Sequence, residues 1–193
     1  MNEKVKKKEI SNEEFALLAY ECCTWWNSVI IQYERFIDLE ENNDMPWDNP
    51  NSIFISERLY LITVIHHAIE YLEKLNHELV KENCVVFEDV IKKIERVTSI
   101  NDIINLRNMN EHRMDYSLKL GHKQNEFESS ILLEKNKYKT NAFISFSRNG
   151  CLFFGNVPIK ELIEVIKSEI QFIRTQTKEI FNKKYFAFVQ EKI

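Results

Sequence analysis

Apolar residues recur every three or four positions through most of the chain, which is the spacing of amphipathic helices. The Ser11–Glu14 segment has a capping-box pattern that predicts the start of a helix, and the apolar spacing continues to about Glu41. Ser52 can cap a second helix that extends to about Lys81. A third helical stretch begins near Val86. The first half of the chain is therefore predicted to be helical.

A break or a kink is predicted after the third stretch, because Ser99–Asp102 repeats the capping-box pattern. Helix then resumes from Ile100 to about Leu120, and Gly121 ends it. Residues 122–140 are polar and irregular. We expect a connecting segment there.

One β-hairpin is predicted before the last helix. Asn149–Gly150 is a strong turn signal, and it lies between the possible strands at 142–147 and 151–154. An isolated hairpin is only marginally stable in water, so we expect it to pack on the helices. Pro158 can open a last long helix, and the aromatic tail to Ile193 is expected to dock as a short helix.

The composition supports a mostly helical chain. Only 3 Gly and 3 Pro occur in 193 residues, which is too few for the turns of a β-sandwich or for the Gly-rich crossovers of an α/β fold. The sequence thus predicts an all-α bundle of four or five helices with one small β-hairpin insert at about 142–154. We expect a single domain over residues 1–193, with a flexible, lysine-rich lead at residues 1–10.

Charge and cysteine content narrow the cellular setting. Proteins that coat nucleic acid nonspecifically are usually strongly basic, whereas this chain has a net charge of -4. Any contact with RNA must therefore be local. No stretch reaches the roughly 18 apolar residues of a membrane span, and the lead lacks the apolar core of a signal peptide. Four irregularly spaced cysteines form neither a disulfide framework nor a zinc motif. We expect a cytoplasmic protein without membrane partners.

Candidate chemistry is concentrated around Arg107. On an ideal helix this arginine lies within a stripe of apolar residues, so its guanidinium needs a buried partner or another protein surface. Glu111 can pair with it at i, i+4. Asn108, His112 and Tyr116 are spaced to form a polar ridge beside it. The predicted stripe consists of Ile100, Ile103, Ile104, Met114 and Leu118.

An arginine and a histidine in this arrangement suit phosphodiester cleavage. The guanidinium can hold a phosphate and stabilise the charge that develops during transfer. A histidine with a pKa of about 6.5 can move a proton without a metal. Attack by a ribose 2′-OH needs a base on one side and an acid on the other, which suggests two copies of the chain meeting across a twofold axis.

The segment from Arg107 and Asn108 to His112 resembles the R-x(4–6)-H motif of the HEPN superfamily, in which a polar residue commonly follows the arginine. The resemblance implies a helical homodimer with metal-independent endoribonuclease activity, in a toxin–antitoxin or phage-defence setting. It implies RNA as substrate, no DNA, no cofactor and a possible antitoxin protein as partner. Arg107 and His112 would be catalytic. The supporting or substrate-positioning residues would be Asn108, Glu111, Tyr116 and Arg113.

Tyr116 departs from one pattern within that family. Some toxins that pair with a nucleotidyltransferase antitoxin carry a tyrosine two residues after the histidine, whereas Tyr116 follows His112 by four. Silencing through that tyrosine is therefore not implied for this chain. The longer spacing keeps Tyr116 on the ridge of His112, where it could contact RNA or orient the imidazole.

Two alternatives remain open at this point. A HEPN-like bundle could bind nucleotide, RNA or a partner protein without cutting. A metal site could form from residues on one face of the second helix, but bundle metal sites need further ligands from facing helices, and the other helices offer no clear Glu-x-x-His pair. We therefore expect a solvated helix face and no metal. The four residues of that face are His66, Glu70, Glu73 and His77.

Overall fold

The computed structural model describes residues 10–41, 50–122, 130–133, 136–139, 145–148, 151–155 and 157–192. Within these ranges the chain forms six helices and five short strands. The helices are α1 (Asn12–Glu41), α2 (Pro50–Lys81), α3 (Glu88–Val97), α4 (Ile100–Glu111), α5 (Arg113–Ser117) and α6 (Ile159–Glu191). The strands are β1 (Ser130–Leu133), β2 (Asn136–Lys139), β3 (Ser145–Arg148), β4 (Cys151–Phe154) and β5 (Val157–Pro158). The predicted all-α bundle with a small β-insert before the last long helix is confirmed.

The core lies between the three long helices, because α1 packs along both α2 and α6. Trp26 of α1 is fully buried, and its indole Nε1 donates a hydrogen bond to the carbonyl of Ala68 at 2.9 Å. The capping box before α1 forms as predicted. The Ser11 amide donates to the Glu14 carboxylate at 2.7 Å, and the Glu14 amide donates to the Ser11 hydroxyl at 3.2 Å.

The last helix is one element of 33 residues, so the prediction of a separate short helix in the tail was wrong. Residues 159–191 contain neither Gly nor Pro, and nothing local interrupts them. The far end of α6 returns to the start of α1, where Asn12 Nδ2 donates to Glu191 Oε1 at 2.6 Å. The predicted lead lies outside the described residues apart from Ile10, which packs against the core.

The predicted hairpin forms between β3 and β4, which pair antiparallel with Phe146 opposite Phe153. Its turn at 149–150 lies outside the described residues. Strand β5 adds a third strand beside β4 and leads directly into α6, against which β4 packs. A second hairpin, β1–β2, lies in the segment for which only irregular structure was expected, and that expectation was wrong. No glycine marks its turn, so the usual sequence signal is missing.

Helix α4 packs against α2 and carries the candidate motif. It begins as predicted, since the Ser99 hydroxyl accepts a hydrogen bond from the Asp102 amide at 3.1 Å. It ends at Glu111, whereas the sequence predicted one helix to about Leu120. The backbone leaves helical geometry at His112 and becomes helical again in α5, so the predicted helix is interrupted. The large apolar side chains beyond the break are exposed, so the buried face of α4 does not continue past it. Among the described residues, no helix has the length and apolar character needed to cross a bilayer.

Candidate functional site

Arg107 is fixed by two neighbours on α4. Its Nη1 lies 2.8 Å from Glu111 Oε2 and donates to Asn108 Oδ1 at 3.0 Å. The side chain is 27% exposed, and its Nε is buried with no hydrogen-bond partner among the residues that the structure describes. The expected Arg107–Glu111 ion pair is thus confirmed. It leaves part of the guanidinium open to solvent.

The predicted stripe around Arg107 was wrong in its second half. Met114 and Leu118 are exposed, because the helix that would have aligned them with Ile103 ends at Glu111. Arg107 lies at the edge of the buried face and not at its centre. The buried face of α4 consists of Ile103, Leu106, Met109 and Asn110.

His112 occupies the C-cap of α4. Its backbone amide still donates to the carbonyl of Asn108 at 3.0 Å, but its φ and ψ of -97° and 33° are no longer helical. The imidazole is 67% exposed, with Nδ1 3.7 Å from Asp115 Oδ2. Tyr116 belongs to α5, and its side chain lies outside the described part of the chain. The continuous ridge from Asn108 to Tyr116 was therefore wrong as a helical arrangement.

A buried arginine from α2 lies at the same end of α4. Arg58 is almost fully buried, and its Nη2 donates to Asn110 Oδ1 at 3.3 Å. Burial, with a smaller contribution from the positive charge of Arg113, lowers the pKa of Arg58 to about 10. A cation of α2 and a cation of α5 are therefore close enough to repel each other. Sequence reasoning missed Arg58, although a cation next to the apolar stripe of the second helix was a usable signal.

A cleft of about 270 Å³ separates α2 from the flank of α4 that carries Arg107. Burial lowers the pKa of His66 at this cleft, Arg107 and His67 lower it too, and the carboxylates of Glu70 and Glu111 oppose them. The motif around Arg107 on α4 and the histidine face on α2, which the sequence analysis treated as separate candidates, are thus close enough to interact electrostatically. The cleft is lined by His66, Ile69, Glu70, Glu73, Ile100, Ile103 and Ile104.

The face on α2 differs from the expectation. A solvated face of His66, Glu70, Glu73 and His77 was expected, but the first three are half-buried and line the cleft, and only His77 of the four is exposed. His67, which was not part of the predicted face, also contacts it: its Nδ1 lies 3.3 Å from Glu70 Oε2. Packing of α4 on α2 covers this face, which the sequence of α2 alone does not reveal.

Comparison with family models, curated proteins and solved structures gives no match for this chain. At the end of α4 a paired guanidinium and a solvent-accessible imidazole lie five residues apart, and Arg113 follows the imidazole directly. This arrangement can bind an anionic group and exchange a proton with it.

Proposed function

We propose that this chain is a metal-independent endoribonuclease of the HEPN type that works as a homodimer. The observation that carries the proposal is the Arg107 guanidinium, held by Glu111 and Asn108, five residues before the exposed imidazole of His112. A fixed charge stabilises a reacting phosphate better than a mobile one, because no reorganisation is needed during the reaction. A solvent-accessible imidazole can accept or donate a proton in general acid–base catalysis.

The reaction uses the 2′-hydroxyl of the RNA itself. One His112 removes the proton from the 2′-OH, the 2′-oxygen attacks phosphorus, and the bond from phosphorus to the 5′-oxygen breaks. The second copy's His112, protonated, gives a proton to that departing oxygen. The products are a 2′,3′-cyclic phosphate and a 5′-hydroxyl. Arg107 holds the phosphate, and Asn108, Arg113 and Tyr116 position the RNA.

The surface beside the motif supports a second copy as partner. Met114, Leu118 and Leu120 follow His112 directly, and their side chains are between 61% and 72% exposed. Large apolar side chains clustered in solvent mark interaction surfaces. A twofold contact through this surface brings two copies of His112 together, which supplies the acid and the base that the reaction needs.

RNA cleavage in the presence of EDTA tests the proposal. The untagged protein should cut single-stranded RNA and leave 2′,3′-cyclic phosphate ends, while Arg107→Ala and His112→Ala should each lower the rate by at least about a hundredfold. Arg96→Ala and His77→Ala are matched controls, because both residues are exposed on other helices, and they should cleave like the parent protein.

Three other outcomes would contradict or replace the proposal. Cleavage that requires a divalent metal, or full activity in both site variants, rejects the mechanism. RNA binding without cleavage by the parent protein supports a noncatalytic binding module. In the proposed cytoplasmic toxin or phage-defence setting, expression of the active protein arrests growth unless an antitoxin partner is present.

A further inference from the structure

Two adjacent histidines and a glutamate on α2 bring three metal-ligating atoms together. Glu70 Oε2 lies 3.3 Å from His67 Nδ1 and 3.9 Å from His66 Nδ1. One potential ligand atom from each of the three residues lies within 4.8 Å of the other two. One carboxylate oxygen thus lies between two imidazole nitrogens at the edge of the cleft between α2 and α4.

These separations are close to those of a tetrahedral zinc site. Zinc bonds to nitrogen and oxygen are about 2.0–2.1 Å long, so neighbouring tetrahedral ligands lie roughly 3.4 Å apart. The His67–Glu70 separation matches this length, and the His66–Glu70 separation exceeds it by about 0.5 Å. The separation of the two histidine ligand atoms is within 4.8 Å, so zinc binding would draw the imidazoles closer together by side-chain rotation.

His66 has a lone pair or a proton that nothing in the described chain uses. Its Nδ1 is buried, and no hydrogen-bond partner for it lies within the described residues. A buried polar atom without a partner destabilises a fold. Coordination of a metal ion would supply the missing partner of this nitrogen.

The charge around the cluster favours a dication. Counted with Glu70 and Glu73 themselves, four carboxylates lie in the electrostatic surroundings of the cluster, against one lysine and one arginine cation. The four carboxylates are Glu70, Glu73, Glu95 and Glu111, and the two cations are Lys74 and Arg107.

Neighbouring side chains hold two of the ligands in place. Lys74 Nζ lies 2.8 Å from Glu70 Oε1, which leaves Oε2 directed towards the histidines. The ring of His67 lies against Trp25, with centroids 4.6 Å apart. Such supporting contacts fix ligand orientation in metal sites.

We infer that His66, His67 and Glu70 bind one divalent ion of the zinc class. Two imidazoles and one carboxylate form the ligand set of zinc sites that keep a fourth position open. Here the open position faces the 270 Å³ cleft beside Glu73 and takes a water molecule. The site uses neither Arg107 nor His112, so it stands independently of the proposed nuclease.

Calorimetric titration of the EDTA-stripped, untagged protein with ZnCl2 tests the inference. We expect one high-affinity ion per chain, and affinity at least about tenfold weaker in each of His66→Ala, His67→Ala and Glu70→Gln. His77→Ala and Glu78→Gln lie further along the same helix and should bind zinc like the parent protein. Circular dichroism checks that every variant is folded.

A second measurement needs no variant. Zinc should protect His66 and His67 from diethylpyrocarbonate while the exposed His77 and His122 remain reactive, as mapped by mass spectrometry. Cobalt bound to the parent protein should give the intense visible bands of a tetrahedral site. No zinc binding by the parent protein, binding that survives all three substitutions, or protection of other histidines instead overturns the inference. RNA cleavage in EDTA reports on the nuclease alone, so either idea can fail without the other.

Discussion

The carboxylate of Glu111 lies 2.8 Å from Nη1 of Arg107, one turn earlier on α4. Both side chains are partly exposed, and ion pairs of this kind add only a few tenths of a kcal/mol to stability. The larger consequence is geometric. A guanidinium held by Glu111 and Asn108 presents the same edge to solvent in every molecule, which suits a group that must meet a phosphate in one orientation.

Glu111→Gln should therefore reduce RNA cleavage, by releasing Arg107 from its fixed orientation, with little effect on the free energy of unfolding. We expect the free energy of unfolding to change by less than about 0.5 kcal/mol, because the lost pair is exposed. RNA cleavage should fall between about tenfold and a hundredfold, because Arg107 is no longer fixed. The matched control is Glu88→Gln, which removes the i, i+4 pair with Lys92 on α3. Equal losses of activity in both variants, or none in either, would contradict the assigned role.

Leu118→Glu should disrupt the proposed dimer. A charge in the centre of an apolar contact is costly to bury, so the variant should sediment as a monomer and lose cleavage activity while remaining folded. Val85→Glu introduces the same charge at an exposed apolar residue outside the motif and should leave both properties unchanged. Sedimentation velocity at micromolar concentration measures the change. A parent protein that is already monomeric and active, or a Leu118→Glu protein that remains dimeric and active, refutes the composite site.

Asn110→Leu should destabilise the contact between α2 and α4. The substitution removes the amide oxygen that accepts from buried Arg58, and also the bond from Asn110 Nδ2 to the Leu106 carbonyl at 2.8 Å. We expect a loss of about 1–3 kcal/mol in urea unfolding, because a buried charged donor loses an acceptor. Asn101→Leu, at an exposed position of the same helix, should change stability by less than about 0.5 kcal/mol. A neutral result for Asn110→Leu would show that the contact does not stabilise the fold.

Two cysteines should differ sharply in reactivity. Cys22 is fully buried in α1, and burial raises the pKa of its thiol, with a smaller contribution from Cys23. Cys84 is exposed in the turn after α2. Because the thiolate is the reactive form, iodoacetamide at pH 8 should modify Cys84 in the native protein and Cys22 only after unfolding. Peptide mass spectrometry checks this order, and rapid native modification of Cys22 would contradict the position of α1.

Local signals predicted the start of several elements correctly. The Ser11–Glu14 capping box and the Ser99 cap form as predicted, because each involves side chains only three residues from the amides that they bind. The ends of elements were harder to predict. Helix α4 ends at Glu111 and helical structure resumes in α5 after a break at His112, whereas α6 continues without a break to Glu191. The spacing of apolar residues predicted neither the break nor the uninterrupted last helix.

In the candidate site, too, contacts within one helix were predictable from the sequence and contacts between helices were not. Spacing along the chain places Glu111 beside Arg107, because residues four apart on a helix are neighbours in any fold. The sequence also identified His112 as a titratable group close to that pair. It could not place Arg58 near Arg113, or His66 near Arg107, because those pairs join helices whose relative position depends on the whole core.

By itself, then, the sequence determined a helical bundle with a hairpin insert, and it placed a guanidinium, a carboxylate and an imidazole within six consecutive residues. Tertiary structure alone decided which of these groups meet solvent and which groups of α2 they meet. The reason is that helical periodicity acts over one or two turns, whereas burial and long-range charge depend on how α2 and α4 pack together. The position of Arg58 beside Asn110 and that of His66 near Arg107 are both consequences of that packing.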